Sequence, residues 1–139
     1  MRRITATLLA ACLLLAGAAA GCSKSYDENA KDCATALTGR TGGEAGDKPT
    51  VRDAEERVDA FDDTLADMVD SGYEAAAKDA YDTAENKTRE GGKSRPEACE
   101  PLSKDDYTLL LMAKAIDGLG WTGEGGEFDK LKMAESLGD

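Results

Sequence analysis

The sequence predicts an all-α protein, a small disulfide-stapled bundle of about five helices that follows a cleaved signal peptide. Three observations predict it. Apolar residues recur at spacings of three and four through several segments, which is the period of one helix face. No run alternates with period two over several residues, and valine and isoleucine, the residues that favour strands, are scarce. Two cysteines, Cys33 and Cys99, remain once the leader and Cys22 are set aside, in a mature chain of about 118 residues, enough for one small domain and not two.

The leader comes first. Arg2 and Arg3 form a positive start, and an uncharged run from Ile4 to Gly21 follows, dense in Leu8, Leu9, Leu13, Leu14 and Leu15. It is short for a spanning helix, and no basic stop-transfer cluster follows it. The small residues Ala18-Ala19-Ala20-Gly21 then lead into Cys22, after which polar residues begin at once. A plain signal peptide needs no cysteine at its cleavage site, whereas lipidation needs the thiolate. On these residues the segment resembles a bacterial lipoprotein signal, with Ala19 where leucine is commoner. Leu9-Ala10-Ala11-Cys12 fits the cleavage letters better, but it leaves too short an apolar run after Arg3. The expected organisation is therefore a signal peptide at 1–21, a lipidated tether at 22–26, and one helical domain at 27–139 with a flexible loop at 38–49.

In the mature part, Asp27 to Leu37 reads as a short helix with Ala30, Cys33, Ala34 and Leu37 on one face. Glycines and Pro49 mark Thr38 to Pro49 as the loop. Thr50 caps the clearest helix, with Asp53 placed for a capping box. Val51, Ala54, Val58, Phe61, Leu65 and Met68 form its apolar stripe. Glu56, Asp59, Asp63, Asp67 and Asp70 run along the opposite face. Ser71-Gly72 interrupts it, and Tyr73 to Arg89 continues helically on an inner face of Ala76, Ala77, Ala80, Tyr81 and Ala84. After a turn region with Pro96, Cys99 and Pro101, Ser103 opens the most apolar helix, with Asp106 at the capping-box position. Its apolar residues, from Tyr107 to Leu119, point nearly all round the axis, the mark of a central helix. Residues 117–126 read as a glycine-rich loop around Trp121. Phe128 to Leu137 closes the chain as a last helix resting on Phe128, Leu131 and Met133-Ala134.

Charge and chemistry narrow the function classes. Without Arg2 and Arg3 the mature part carries 15 basic and 28 acidic residues. That balance excludes nucleic acid and electrostatic adhesion to anionic lipid, so the anchor is the diacylglycerol on Cys22. Two acyl chains suffice for stable anchoring. Histidine is absent, which removes the commonest general base and most zinc and copper sites. No nucleophile elbow, phosphate loop or dinucleotide fingerprint occurs. No cofactor is expected. Cys33 and Cys99 form an even pair in an oxidising compartment, and a bond between them closes a long loop; the alternative is two free thiols. Candidate partner contacts are Trp121 and the acidic residues Glu56, Asp59, Asp63, Asp67 and Asp70. The plainer readings are a tryptophan folded into the core and a solvated helix face.

From Cys33 onwards the chain carries Asp32-Cys33-Ala34 with Ala36-Leu37, then Arg95-Pro96-Glu97-Ala98-Cys99, Leu102, Asp105-Asp106-Tyr107, Ile116 and Gly120-Trp121. On these short motifs it resembles a group of small secreted proteins and lipoproteins of filamentous actinobacteria, over most of the mature chain. The resemblance implies a Cys33–Cys99 pair and supplies no catalytic residue. The expectation is a monomeric, non-enzymatic binding module on the extracytoplasmic face of the cell membrane, with a basic protein as its natural partner. The alternatives are an envelope divalent-metal or small-molecule binder and, more remotely, a carboxylate-dependent envelope hydrolase.

Overall fold

Hydroxyl side chains set where three of the helices begin. In the computed structural model, which describes residues 24–138, Ser25 opens α1 (Tyr26–Thr41) with a full capping box. Its Oγ accepts from the Glu28 amide at 3.2 Å, and the Glu28 carboxylate accepts from the Ser25 amide at 3.0 Å. Thr50 and Asp53 do the same for α2 (Val51–Asp70). Each such cap satisfies amides that otherwise lack partners, worth about 1 kcal/mol. α3 (Glu74–Gly91) lacks a side-chain cap. It is followed by a 3₁₀ turn (Glu97–Cys99), α4 (Lys104–Gly118) and α5 (Lys130–Gly138). The all-α bundle is as expected. Among the described residues the only extended pairing is a single bridge between Thr122 and Phe128. Cys12, Cys22 and the leader lie outside the described residues.

Several boundaries differ from the sequence reading. α1 runs four residues past Leu37 to Thr41, so the loop begins only at Gly42, which takes the left-handed conformation (φ 78°) that ends a helix. Within this added turn the Thr38 and Thr41 hydroxyls donate to the carbonyls of Ala34 and Leu37, at 3.0 and 3.1 Å. Asp117 and Gly118 belong to α4 and not to the loop after it. Ser103 accepts from the Asp106 amide at 3.2 Å, but Asp106 does not complete the box. Its carboxylate instead accepts the hydroxyl of Tyr26, which joins the start of α1 to the start of α4. Tyr81, expected on the inner face of α3, is 45% exposed, because Ala77, Ala80 and Ala84 alone fill the close contact. In α5 only Met133 is buried; Leu131 and Ala134 face outward.

α4 is the central element and packs against α1, α2 and α3. One cluster joins α1, α2 and α4 around the Cys33–Cys99 disulfide (S–S 2.00 Å), with Ala30, Leu37, Ala54 and Leu110 buried beside it. Arg95 clamps the 3₁₀ turn by donating to the carbonyls of Cys99 and Leu102. The second cluster holds Phe61, Ile116, Trp121 and Met133, closed by Ala80 and Ala84 of α3. α1 and α4 run in the same direction, with Tyr26 beside Asp106 at one end and Thr41 against Gly118 at the other. A Cβ at Gly118 would collide with the Thr41 carbonyl, so glycine permits that approach. Among the described residues no helix is long and apolar enough to cross a membrane.

Candidate functional site: an acidic cleft over a buried ion network

The central helix is not apolar throughout. Lys114 and Asp117, one turn apart on α4, are 0% and 4% exposed. Arg57 sits on the buried side of α2 between Ala54 and Phe61 and is 4% exposed. Burying such charges is costly unless each is paired and hydrogen-bonded. Asp47, in the loop between α1 and α2, meets that need for both cations. Arg57 grips it with two bonds, Nη1 to Oδ2 at 2.9 Å and Nη2 to Oδ1 at 2.7 Å. Lys114 Nζ donates to the Asp47 carbonyl at 2.9 Å, to Asp47 Oδ2 at 3.0 Å and to Asp117 Oδ2 at 3.1 Å, using all three of its donors. Asp117 also accepts from the Glu44 amide and the Thr122 hydroxyl, each at 2.9 Å. The loop at 42–50 is therefore pinned to α2 and α4, in contrast to the flexible segment expected at 38–49.

Burial pushes the Asp47 carboxyl up, but the guanidinium of Arg57 and the ammonium of Lys114 outweigh it and hold it below the ordinary aspartate range. A carboxyl held down in this way is suited to binding cations and is a poor proton donor. Asp53 is also held low, chiefly by the Thr50 amide that donates to it.

This network floors a cleft of about 560 Å³ between the loop at 42–50 and the segment at 122–128. Carboxylates of Glu44, Asp53, Glu56, Glu124 and Glu127 line it, against a single unburied base, Lys48. Gly126 (φ 83°) lets the far wall close on the network, since a Cβ there would stand 3.0 Å from both Arg57 and Asp47. Glu44 lies against Asp117 at the end of α4, while Tyr26 marks the start of that helix. Glu44 at the edge of the cleft and Tyr26 thus lie at opposite ends of α4, a helix of 15 residues or about 20 Å.

Of the residues singled out from sequence, Cys33 and Cys99 are joined. Glu56, Asp59, Asp63, Asp67 and Asp70 are all exposed along α2. Only Glu56 reaches the cleft, and it also accepts from Arg52 at 3.2 Å. Among the described residues Asp59, Asp63, Asp67 and Asp70 enter no ion pair, and no three carboxylates or cysteines converge to hold a metal ion. Burial pushes the Asp62 carboxyl up, and the like charges of Asp59 and Asp63 push it further. Trp121 as a partner contact is corrected. It is 1% exposed, stacks on Phe61 at 6.0 Å between ring centroids, and donates its indole N–H to Ser136 at 2.7 Å. Asp47, Arg57, Lys114 and Asp117 were missed from sequence, although a lysine and an aspartate inside the most apolar helix, and an arginine within an apolar stripe, mark them. A scan against protein-family models, a search of curated proteins and a search of solved structures each return no match.

Proposed function

We propose that this chain is a lipid-anchored, extracytoplasmic, non-enzymatic binding module that presents its acidic face to a basic protein. The anchor rests on Arg2, Arg3, the apolar run and Cys22, which agree independently. The observation that carries the binding reading is the uncompensated charge of α2. Its sequence holds eight acidic residues against Arg52 and the buried Arg57. Asp67 and Asp70 stand in the last turns, where the helix dipole disfavours anions, and no basic residue follows to offset them. Helix stability does not explain that placement, whereas recognition of a basic surface does. Tyr26, near the start of the described residues, lies at the other end of α4 from Glu44 in the cleft, and a tether of a few residues back to Cys22 would suit display of the cleft away from a membrane.

The test has two arms. Replacing Cys22 with Ser should release the protein from membranes; continued retention overturns the anchor. Capture from an envelope extract with the full chain at low ionic strength should recover a basic protein that salt displaces. Recovery of none overturns the binding reading.

A further inference from the structure

The cleft does not end at Glu56. A shallower pocket of about 350 Å³ continues from it, and the two share Ala60, Glu127 and Phe128 as walls. Together they form one groove between α2 and the segment at 123–131. On the α2 side its floor is Asp53, Glu56, Ala60 and Thr64, spaced by three, four and four along one helix face. Asp53 to Thr64 covers about 16 Å of helix axis at about 1.5 Å per residue. An extended chain rises about 3.3 Å per residue, so the groove matches about five extended residues.

Its two ends differ in chemistry. The Asp53 end is the acidic cleft. The Thr64 end is bordered by Phe128, by the opposed charges of Asp129 and Lys130, and by Leu131, which is 69% exposed. Two residues before the buried Met133, Leu131 is turned outward by the register of α5, and the core does not require a leucine at that position. A large exposed apolar side chain at the rim of a groove is suited to anchoring a partner. Resting on the reading above, we infer that this groove takes an extended basic segment of the partner protein. A lysine or arginine lies over Glu56 and Glu127, and an apolar side chain two residues away, on the same face of the extended chain, packs on Phe128 and Leu131.

The test uses the full chain in a nonionic detergent and a fluorescent probe peptide, Gly-Arg-Gly-Leu-Gly-Gly, titrated at low ionic strength. Two control peptides carry Ser for Leu or Gln for Arg. Trp121 emission confirms that each variant is folded. The probe should bind better than either control. Glu56→Gln with Glu127→Gln should weaken it about tenfold. Leu131→Ser should abolish an advantage of about fivefold for the Leu peptide and leave the Ser peptide unchanged. Equal binding of the Leu and Ser peptides, or an unaltered preference in Leu131→Ser, overturns the groove. If binding is then lost instead in Asp59→Asn with Asp63→Asn, the acidic-face reading stands without it. No binding of any peptide also overturns the groove, while the capture experiment judges the broader reading separately.

Discussion

The ammonium of Lys114, a side chain with no solvent exposure, lies 3.0 Å from a carboxylate oxygen of Asp47, 67 residues earlier in the chain. This bond ties the central helix to a loop that has few apolar side chains of its own to bury. Asp47 serves two buried cations at once, whereas Lys114 is the one cation that Asp117 serves. Asp47→Ala leaves Arg57 without a carboxylate. The expected loss is about 3–5 kcal/mol, the range for breaking a buried pair from one side. Lys114→Met combined with Asp117→Asn removes one cation and one anion together and should cost clearly less. Urea midpoints of the two variants decide the order, and an equal cost would mean that the unpaired Arg57 charge adds nothing to the loss.

Asp47 also sets an acid limit. Its folded pKa lies below the 3.8 of an unperturbed aspartate. The unfolded chain therefore binds the proton more readily, and stability falls as pH drops. The contribution is full above the unfolded value and is lost as pH falls from about 4 through the lower folded value. Thermal unfolding between pH 7 and pH 2 should show a loss that steepens below about pH 4. Asp47→Asn should remove that part of the slope; an unchanged slope would assign the acid sensitivity to other carboxylates.

The fold was legible because its signals are local. The apolar stripe of α2, the Thr50 cap and the apolar run of α4 each declare a helix within a few turns, and Cys33 and Cys99 have no other cysteine to choose in the mature domain apart from Cys22. The site was less legible because its partners are distant in sequence. Lys114 and Arg57 announce that buried charges need counter-ions, but nothing local names Asp47 among the many acids available. The loop at 38–49 looked flexible from its glycines. Two of these, Gly42 and Gly43, serve the turn, Gly43 by making room for the Asp117 carboxylate. Trp121 could be assigned to surface or core only once Phe61 and Ser136 were seen around it.

The disulfide should be the main support of α1. Cys33 and Cys99 are both 0% exposed, 66 residues apart. Closing a loop of that length is worth about 4 kcal/mol by the chain-entropy model. Replacing both with Ala should lower stability by about that amount. In the native protein neither sulfur should react with an alkylating agent, before or after exposure to a mild reductant. Mass measurement checks this, and ready modification would mean that the pair opens without global unfolding.

Trp121 offers an internal reporter for the second cluster. Its burial predicts blue-shifted emission that iodide quenches poorly. Ser136→Ala removes the acceptor of the indole N–H and should cost about 1 kcal/mol, with a red shift as water takes its place. Phe61→Ala opens a cavity against the indole and should cost about 3–5 kcal/mol. A native emission maximum near that of free tryptophan would place the residue at the surface and overturn this account of the core.

The acidic face of α2 should carry a stability cost that one substitution relieves. Asp62 is pushed above the ordinary aspartate range by burial and by Asp59 and Asp63. The folded state thus binds this proton more readily than the unfolded chain, so the side chain destabilises at neutral pH and the penalty fades as pH falls through the raised pKa. Solvent screens so exposed a group, so Asp62→Asn should raise the melting temperature at pH 7 by only about 1–2 °C. The gain should shrink in 0.5 M salt, taken as roughly several times physiological ionic strength. It should also vanish below about pH 4. A gain that persists in acid would trace to helix propensity, and one lost in acid but kept in salt would trace to burial of the charge rather than to crowding. A gain that disappears in both shows that charge on this face is held against the interest of folding, as expected of a surface kept for an oppositely charged partner.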